Sequence, residues 1–187
     1  MHLGIDFGAR KSGNTAICFL DNDQLYIFQT EKSKDTDVLL KEWVHQLAPD
    51  TIFIDAPLSL PAAYFGQGTD FMYRQCDRVL GAMSPMFLGG LTARAIQFSH
   101  WLINKKIASH EVYPAALVKY GLSDLGSTYT KNLDTAILHL TLHIPYSLER
   151  EPTNWHQFDA VLQRIQCQDQ QSGWTGCAGR SDCIRRW

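Results

Sequence analysis

The chain predicts an α/β fold built on one mixed sheet with helices on both faces. Three short apolar runs open it, separated by brief polar turns. A helical stripe follows and leads into a fourth apolar run. Beyond that, helical and strand-like patterns alternate.

The first run, Leu3-Gly4-Ile5-Asp6-Phe7-Gly8, reads as a strand buried on both faces. Leu3, Ile5 and Phe7 share one side; Gly4, Asp6 and Gly8 share the other. Arg10 to Asn14 is a polar turn, and Thr15 to Leu20 is the second strand. Asp21-Asn22-Asp23 makes a tight turn into a third strand, Gln24 to Thr30. Together these form an antiparallel meander. Lys34 to Leu47 then changes period, with Leu39, Trp43, Val44 and Leu47 in a stripe, and Pro49 ends the helix. Thr51 to Asp55 is the fourth strand. A helical crossover returns it parallel to the first.

Pro57, Pro61, Gly66 and Gly68 mark a long loop after Asp55. Asp70 to Leu80 predicts a helix stopped by Gly81, with Arg74, Asp77 and Arg78 on one side of it. Leu88 to Lys106 predicts a longer helix, and Ser109 to Tyr113 a fifth strand ending at Pro114. Thr130 to His143 reads as helical. Thr153 or Asn154 caps a last helix that turns Trp155, Phe158, Leu162 and Ile165 inward, with Asp159 at the edge of that stripe. The chain has no internal repeat. It reads as a single domain over 1–187, with a helical insertion at about 57–107 and an irregular tail at about 168–187.

Composition narrows the classes. A hydrophobic fraction of 45% supports a packed core. No apolar run reaches the roughly 18 residues of a membrane span. The chain enters a strand at once, so no signal peptide is expected. Five cysteines without CxxC spacing argue against a zinc ribbon and for reduced thiols in the cytoplasm. A net charge of −2 and a pI near 6.4 do not support tight, non-specific nucleic-acid binding.

The chemistry centres on Asp6 and Asp55. A carboxylate in an apolar strand is costly unless paired. If the two strands are neighbours, the charges meet, and both stay ionised only beside a cation. Glycines flanking Asp6 permit close approach of a ligand. Each residue also has a plainer reading: Asp6 satisfied by backbone donors, Asp55 capping a turn before Pro57, Asp159 solvated on its helix. Arg74, with Asp77 and Arg78, fits either intrahelical ion pairs or a phosphate clamp. Glu111 fits an extra metal ligand or a partner of Lys119 or Arg94. Lys11 and Lys119 fit phosphate contacts or solvated surface. His143 and His156 lack metal-ligand spacing and read as structural or exposed.

The segments GIDFGARKSGNTAI, IFIDAPLSLP, RQCDRVLGAMSP, LTARAIQ, EVYPAALVK and HQFDAVL resemble a prokaryotic family of predicted nucleases with the ribonuclease H-like fold, classed as a domain of unknown function. The resemblance runs from about Leu3 to Asp159. It implies the strand order 3-2-1-4-5, with the second strand antiparallel to the first. It places Asp6 beside Asp55 and adds Asp159 to complete a three-carboxylate site. It implies Mg²⁺ or Mn²⁺ as cofactor and phosphodiester hydrolysis as the activity. It also implies an apolar strand or turn where Gly173 to Trp187 is instead rich in Trp, Cys and Arg. A reading-frame change near the end of the gene, or a loop packed by Trp174 and Trp187, accounts for that tail.

Two other functions stay open. Asp6 to Gly13 resembles the first phosphate hairpin of sugar kinases and actin-like ATPases, which share this core, so a nucleotide or small-molecule phosphate protein fits. Those proteins pair two such domains, and this chain holds one. A non-catalytic scaffold also fits, and a homodimer is left open.

Overall fold

The computed structural model describes residues 1–172, and side chains through Ile165. Its centre is a six-stranded mixed sheet in the order β5-β4-β1-β2-β3-β6. The strands are β1 (His2–Asp6), β2 (Ala16–Asp21), β3 (Gln24–Gln29), β4 (Thr51–Asp55), β5 (Ala108–Glu111) and β6 (Ser147–Leu148). β1 pairs antiparallel with β2 and parallel with β4. The expected 3-2-1-4-5 order is therefore present. β6 extends it beyond β3, held in register at Leu25 and Leu148. At two residues, β6 is too short to show the alternation that reveals a strand.

The helices are α1 (Thr36–Leu47), α2 (Gln75–Leu80), α3 (Pro85–Leu88), α4 (Gly90–Asn104), α5 (Pro114–Tyr120), α6 (Leu133–His143) and α7 (Trp155–Ser172). They cover both faces of the sheet. Leu3, Ile5, Ile17, Ile52 and Ile54 face α1 and α4, where Leu40, Val44, Phe98 and Leu102 complete one core. Ala16, Cys18, Leu25 and Ile27 face the other way, onto Val118, Leu140, Phe158, Val161 and Leu162. The alternation along β1 thus puts Gly4 and Asp6 on the α7 side.

Several boundaries differ from the sequence expectation. The helix expected from Asp70 begins only at Gln75, because the Asp70 carboxylate accepts the Met72 and Tyr73 N–H groups and bends the chain into a turn. Arg74 is its N-cap and is buried, whereas Arg78 is exposed. The helix expected over 88–106 is split at Gly89, which takes φ +50°. α5 is an additional helix, begun by Pro114 at its first position. Asn154 caps α7 by accepting the Gln157 N–H at 3.1 Å. α7 continues to Ser172, past the point where the tail was expected to start. The rest of the tail, with Trp174 and Trp187, lies outside the described residues.

One close approach fixes where α7 sits. A Cβ on Gly4 would stand 2.5 Å from the Ala160 carbonyl oxygen and from the Arg164 nitrogen. Only glycine lets α7 lie this tightly on β1, and α7 carries His156 and Asp159. Cys18 and Cys76 are buried free thiols. No helix among the described residues is long and apolar enough to cross a membrane.

Candidate active site

Asp6 and Asp55 are the last residues of adjacent parallel strands and are direct register partners. Their backbones are therefore about 4.8 Å apart, with side chains on the same face. The carboxyl ends of parallel strands are where open α/β sheets bind ligands. The first turns of α7 supply the opposite wall of the site.

Each carboxylate has a different environment. Asp6 is buried, and its Oδ2 lies 2.7 Å from His156 Nδ1. Burial raises the Asp6 pKa, while the His156 hydrogen bond and charge pull it back. The same contact raises the pKa of His156, against partial burial. The half-buried Asp159 accepts a 2.8 Å hydrogen bond from the Tyr129 hydroxyl. Its pKa is pushed up to about 7, by burial first and by the Asp6 charge, with Tyr129 and His156 opposing. Burial, and then the charges of Asp159, Asp6 and Asp55, raise the pKa of the Tyr129 hydroxyl.

Asp55 stands apart from both. Its pKa is raised well above the carboxylate range, by burial first and then by Asp6, Asp159 and Glu111. No group among the described residues donates a hydrogen bond to it.

Glu111, at the end of β5, contributes to that field but is itself tied down. Its Oε1 accepts from Arg74 Nη2 and its Oε2 from Arg74 Nη1, each at 2.6 Å, and Oε2 also accepts the Leu58 N–H at 2.8 Å. The Arg74 guanidinium is buried between Glu111 and Asp77, with Nη2 2.5 Å from Asp77 Oδ1 and Nη1 3.1 Å from Ser59 Oγ. Arg78 is exposed and pairs instead with Asp70 at 2.5 Å. Arg94 pairs with Asp37, so Glu111's partner is neither Arg94 nor Lys119. Lys119 is exposed on α5, its Nζ 5.0 Å from the centre of the Tyr120 ring. Lys11 is exposed in the β1–β2 connection.

The structure therefore gathers Asp6, Asp55, Asp159 and Glu111 into one electrostatic group. It ties Arg74 and Asp77 to that group through Glu111. His156 and Tyr129 are site residues that sequence reasoning missed. His156 had a signal: it stands three residues before Asp159, so both lie on one side of a helix. Tyr129 had none, because its partner is 30 residues away.

Among the described residues, no three His, Cys, Asp or Glu side chains converge closely enough to grip one ion as they stand. Asp6 is held by His156 and Asp159 by Tyr129. The donor chemistry nevertheless fits a hard divalent cation. The cluster's carboxyl groups offer only oxygen ligands, a cation would favour their charged forms, and Asp55 has no hydrogen-bond donor among the described residues.

No protein-family model matches the chain, and no curated protein matches it. Among solved structures, the RuvC structure from Thermus thermophilus is similar, with a TM-score of 0.50 and 14% sequence identity. The match covers 92% of this chain and 96% of that one. At that identity the likeness speaks for the fold. With the strand order, it identifies the fold as ribonuclease H-like.

Proposed function

We propose that the protein is a metal-dependent nuclease that hydrolyses phosphodiester bonds at the Asp6–Asp55–Asp159 site. The observation that carries this reading is the register pairing of Asp6 with Asp55, with Asp55 left among like charges and without a donor among the described residues. Mg²⁺ or Mn²⁺ suits the oxygen ligands of Asp6, Asp55 and Asp159. Such a cation, when bound, neutralises the carboxylates, polarises the phosphoryl oxygen and acidifies a water molecule. The ribonuclease H-like fold and the neighbour named RuvC support the same reading.

The remaining roles fall to side chains of this chain. His156, oriented and held more basic by Asp6, is the group to accept a proton from the attacking water. Tyr129 orients Asp159. Glu111 adds negative charge beside Asp55, and Arg74 keeps it there. With Asp77, Glu111 and Ser59 on its guanidinium, Arg74 is a positioning residue more than a phosphate clamp. Lys119 and Lys11 supply positive charge for the substrate backbone.

The test compares wild type with Asp6→Asn and His156→Ala. Mn²⁺ affinity is measured by calorimetry, and cleavage over a panel of single-stranded and duplex DNA, RNA and nucleotides. Asp6→Asn is expected to lose most metal affinity and at least about 100-fold in rate. His156→Ala is expected to keep metal affinity, lose about 10–100-fold in rate and change the pH–rate profile. Unchanged Mn²⁺ affinity in Asp6→Asn overturns the site. Hydrolysis confined to free nucleotides moves the activity to small phosphate esters. Metal binding without any hydrolysis leaves a scaffold.

A further inference from the structure

A cavity of about 800 Å³ opens beside Asp55 and Phe7 and follows β5. Every residue from Ile107 to Tyr113 lines it. On one side its wall is Leu80, Met83, Leu88 and Ile103; on the other it is Ala116 and Leu117. The volume lies within the roughly 300–1,000 Å³ of small-molecule sites. Asp55, Arg74, Asp77 and Glu111 also line the cavity, where it meets the carboxylate site, and the nuclease mechanism gives its apolar remainder no role.

Among the described residues, β5 is the edge strand of the sheet, with β4 as its one neighbour. The N–H groups of Ala108 and Val112 donate to the Asp50 and Ile54 carbonyls. In a parallel ladder, alternate residues point their backbone groups to opposite sides. Ser109 and Glu111 therefore direct their N–H and C=O groups away from β4, towards the free edge that the cavity covers. Tyr113 also lines the cavity, and its hydroxyl has no hydrogen-bond partner among the described residues. The His110 ring lies stacked on Phe53 at 5.3 Å, adding a flat wall.

We propose that this cavity is a nucleobase site, taking the unpaired base of a nucleotide whose phosphate sits at the Asp6–Asp55 carboxylates. The inference rests on the phosphodiesterase reading of those carboxylates and names the substrate class as single-stranded or locally unpaired nucleic acid. Apolar walls cover the faces of the base, and the backbone groups of Ser109 and Glu111 meet its hydrogen-bonding edge. A base still paired in a duplex offers no free edge and does not fit a recessed cavity, so it must be extruded or single-stranded. An extended peptide is the less suitable occupant. β5 has four residues and ends before Pro114, and so short an edge supports little strand addition.

The test is calorimetric titration with deoxyadenosine 5′-monophosphate, thymidine 5′-monophosphate and deoxyribose 5-phosphate, in the presence of Mn²⁺, and with deoxyadenosine in its absence. Wild type is expected to bind the two nucleotides at least tenfold more tightly than deoxyribose 5-phosphate. Ala116→Trp fills the cavity from α5. Ile103→Trp fills it from the exposed rim of α4 and keeps the test readable if the first variant does not fold. Either is expected to bring the ratio within about twofold and to abolish deoxyadenosine binding, with deoxyribose 5-phosphate affinity unchanged. Equal affinity of wild type for nucleotide and sugar phosphate overturns the base site, as does an unchanged ratio in a folded variant. The metal-free deoxyadenosine titration reads the cavity alone. Its success without hydrolysis of any substrate overturns the nuclease reading and leaves the base site standing.

Discussion

Asp6 and Asp55 face each other across one rung of the β1–β4 ladder. Their difference in partners matters as much as their proximity. Asp6 has His156 at 2.7 Å, whereas Asp55 has three carboxylates in its field and no donor among the described residues.

Asp55→Asn is therefore expected to stabilise the metal-free protein, by about 1–3 kcal/mol, because it removes the charge that its neighbours and its burial oppose. The same variant is expected to lose the stabilisation that Mn²⁺ gives wild type. Thermal melts with EDTA and with Mn²⁺ check both. A fall in the EDTA melting temperature would show that the Asp55 charge is already compensated within the protein.

Stability of the metal-free protein should fall as the pH rises from about 4 to about 7. Asp159 sits at about 7 in the folded state against 3.8 for an ordinary carboxylate. In that window the folded state holds the proton that the unfolded state has released. The stabilisation is thus complete below the unfolded value and lost as the pH passes the folded one. Asp6, Asp55 and His156, all raised, have the same sign. Asp159 alone accounts for a loss of roughly 4 kcal/mol across that window, and the other three groups add to it. Urea unfolding at pH 4.5, 6 and 7.5 in EDTA measures it, and Tyr129→Phe, which removes a donor to Asp159, should steepen the loss.

Gly4→Ala should cost at least about 2 kcal/mol, since the new methyl must push α7 off β1. The displacement would carry His156 and Asp159 away from Asp6. Loss of Mn²⁺ affinity is expected even where the variant stays folded. Circular dichroism and metal titration together read the two effects, and a neutral substitution would show that α7 has freedom to shift.

Arg74→Met is expected to destabilise by about 3–5 kcal/mol, because Asp77 and Glu111 are left as uncompensated carboxylates around a buried hole. Adding Asp77→Leu should recover part of that loss. Chemical denaturation of the single and double variants provides the measurement. Equal stability of the two would mean that Asp77 gains nothing from Arg74.

Much of this was legible along the chain. The alternating and apolar runs mark β1 to β5, and the stripes mark α1 and α7, since these patterns reflect local periodicity against a buried face. The aspartates at the ends of β1 and β4 were legible for the same reason. A two-residue β6 and the turn before Gln75 were not. One is too short for a period, and the other is settled by the Asp70 side chain competing for backbone N–H groups.

The sequence by itself determined strands β1 to β5, the helical crossover that makes β1 and β4 parallel, and the carboxylates at their ends. Tertiary structure alone decided the partners. His156 meets Asp6 across 150 residues, and Arg74 meets Glu111 across 37. Local pattern specifies which face a residue takes. Which distant side chain waits there depends on how closely the layers pack, and here that closeness is set by the missing side chain of Gly4 beneath α7.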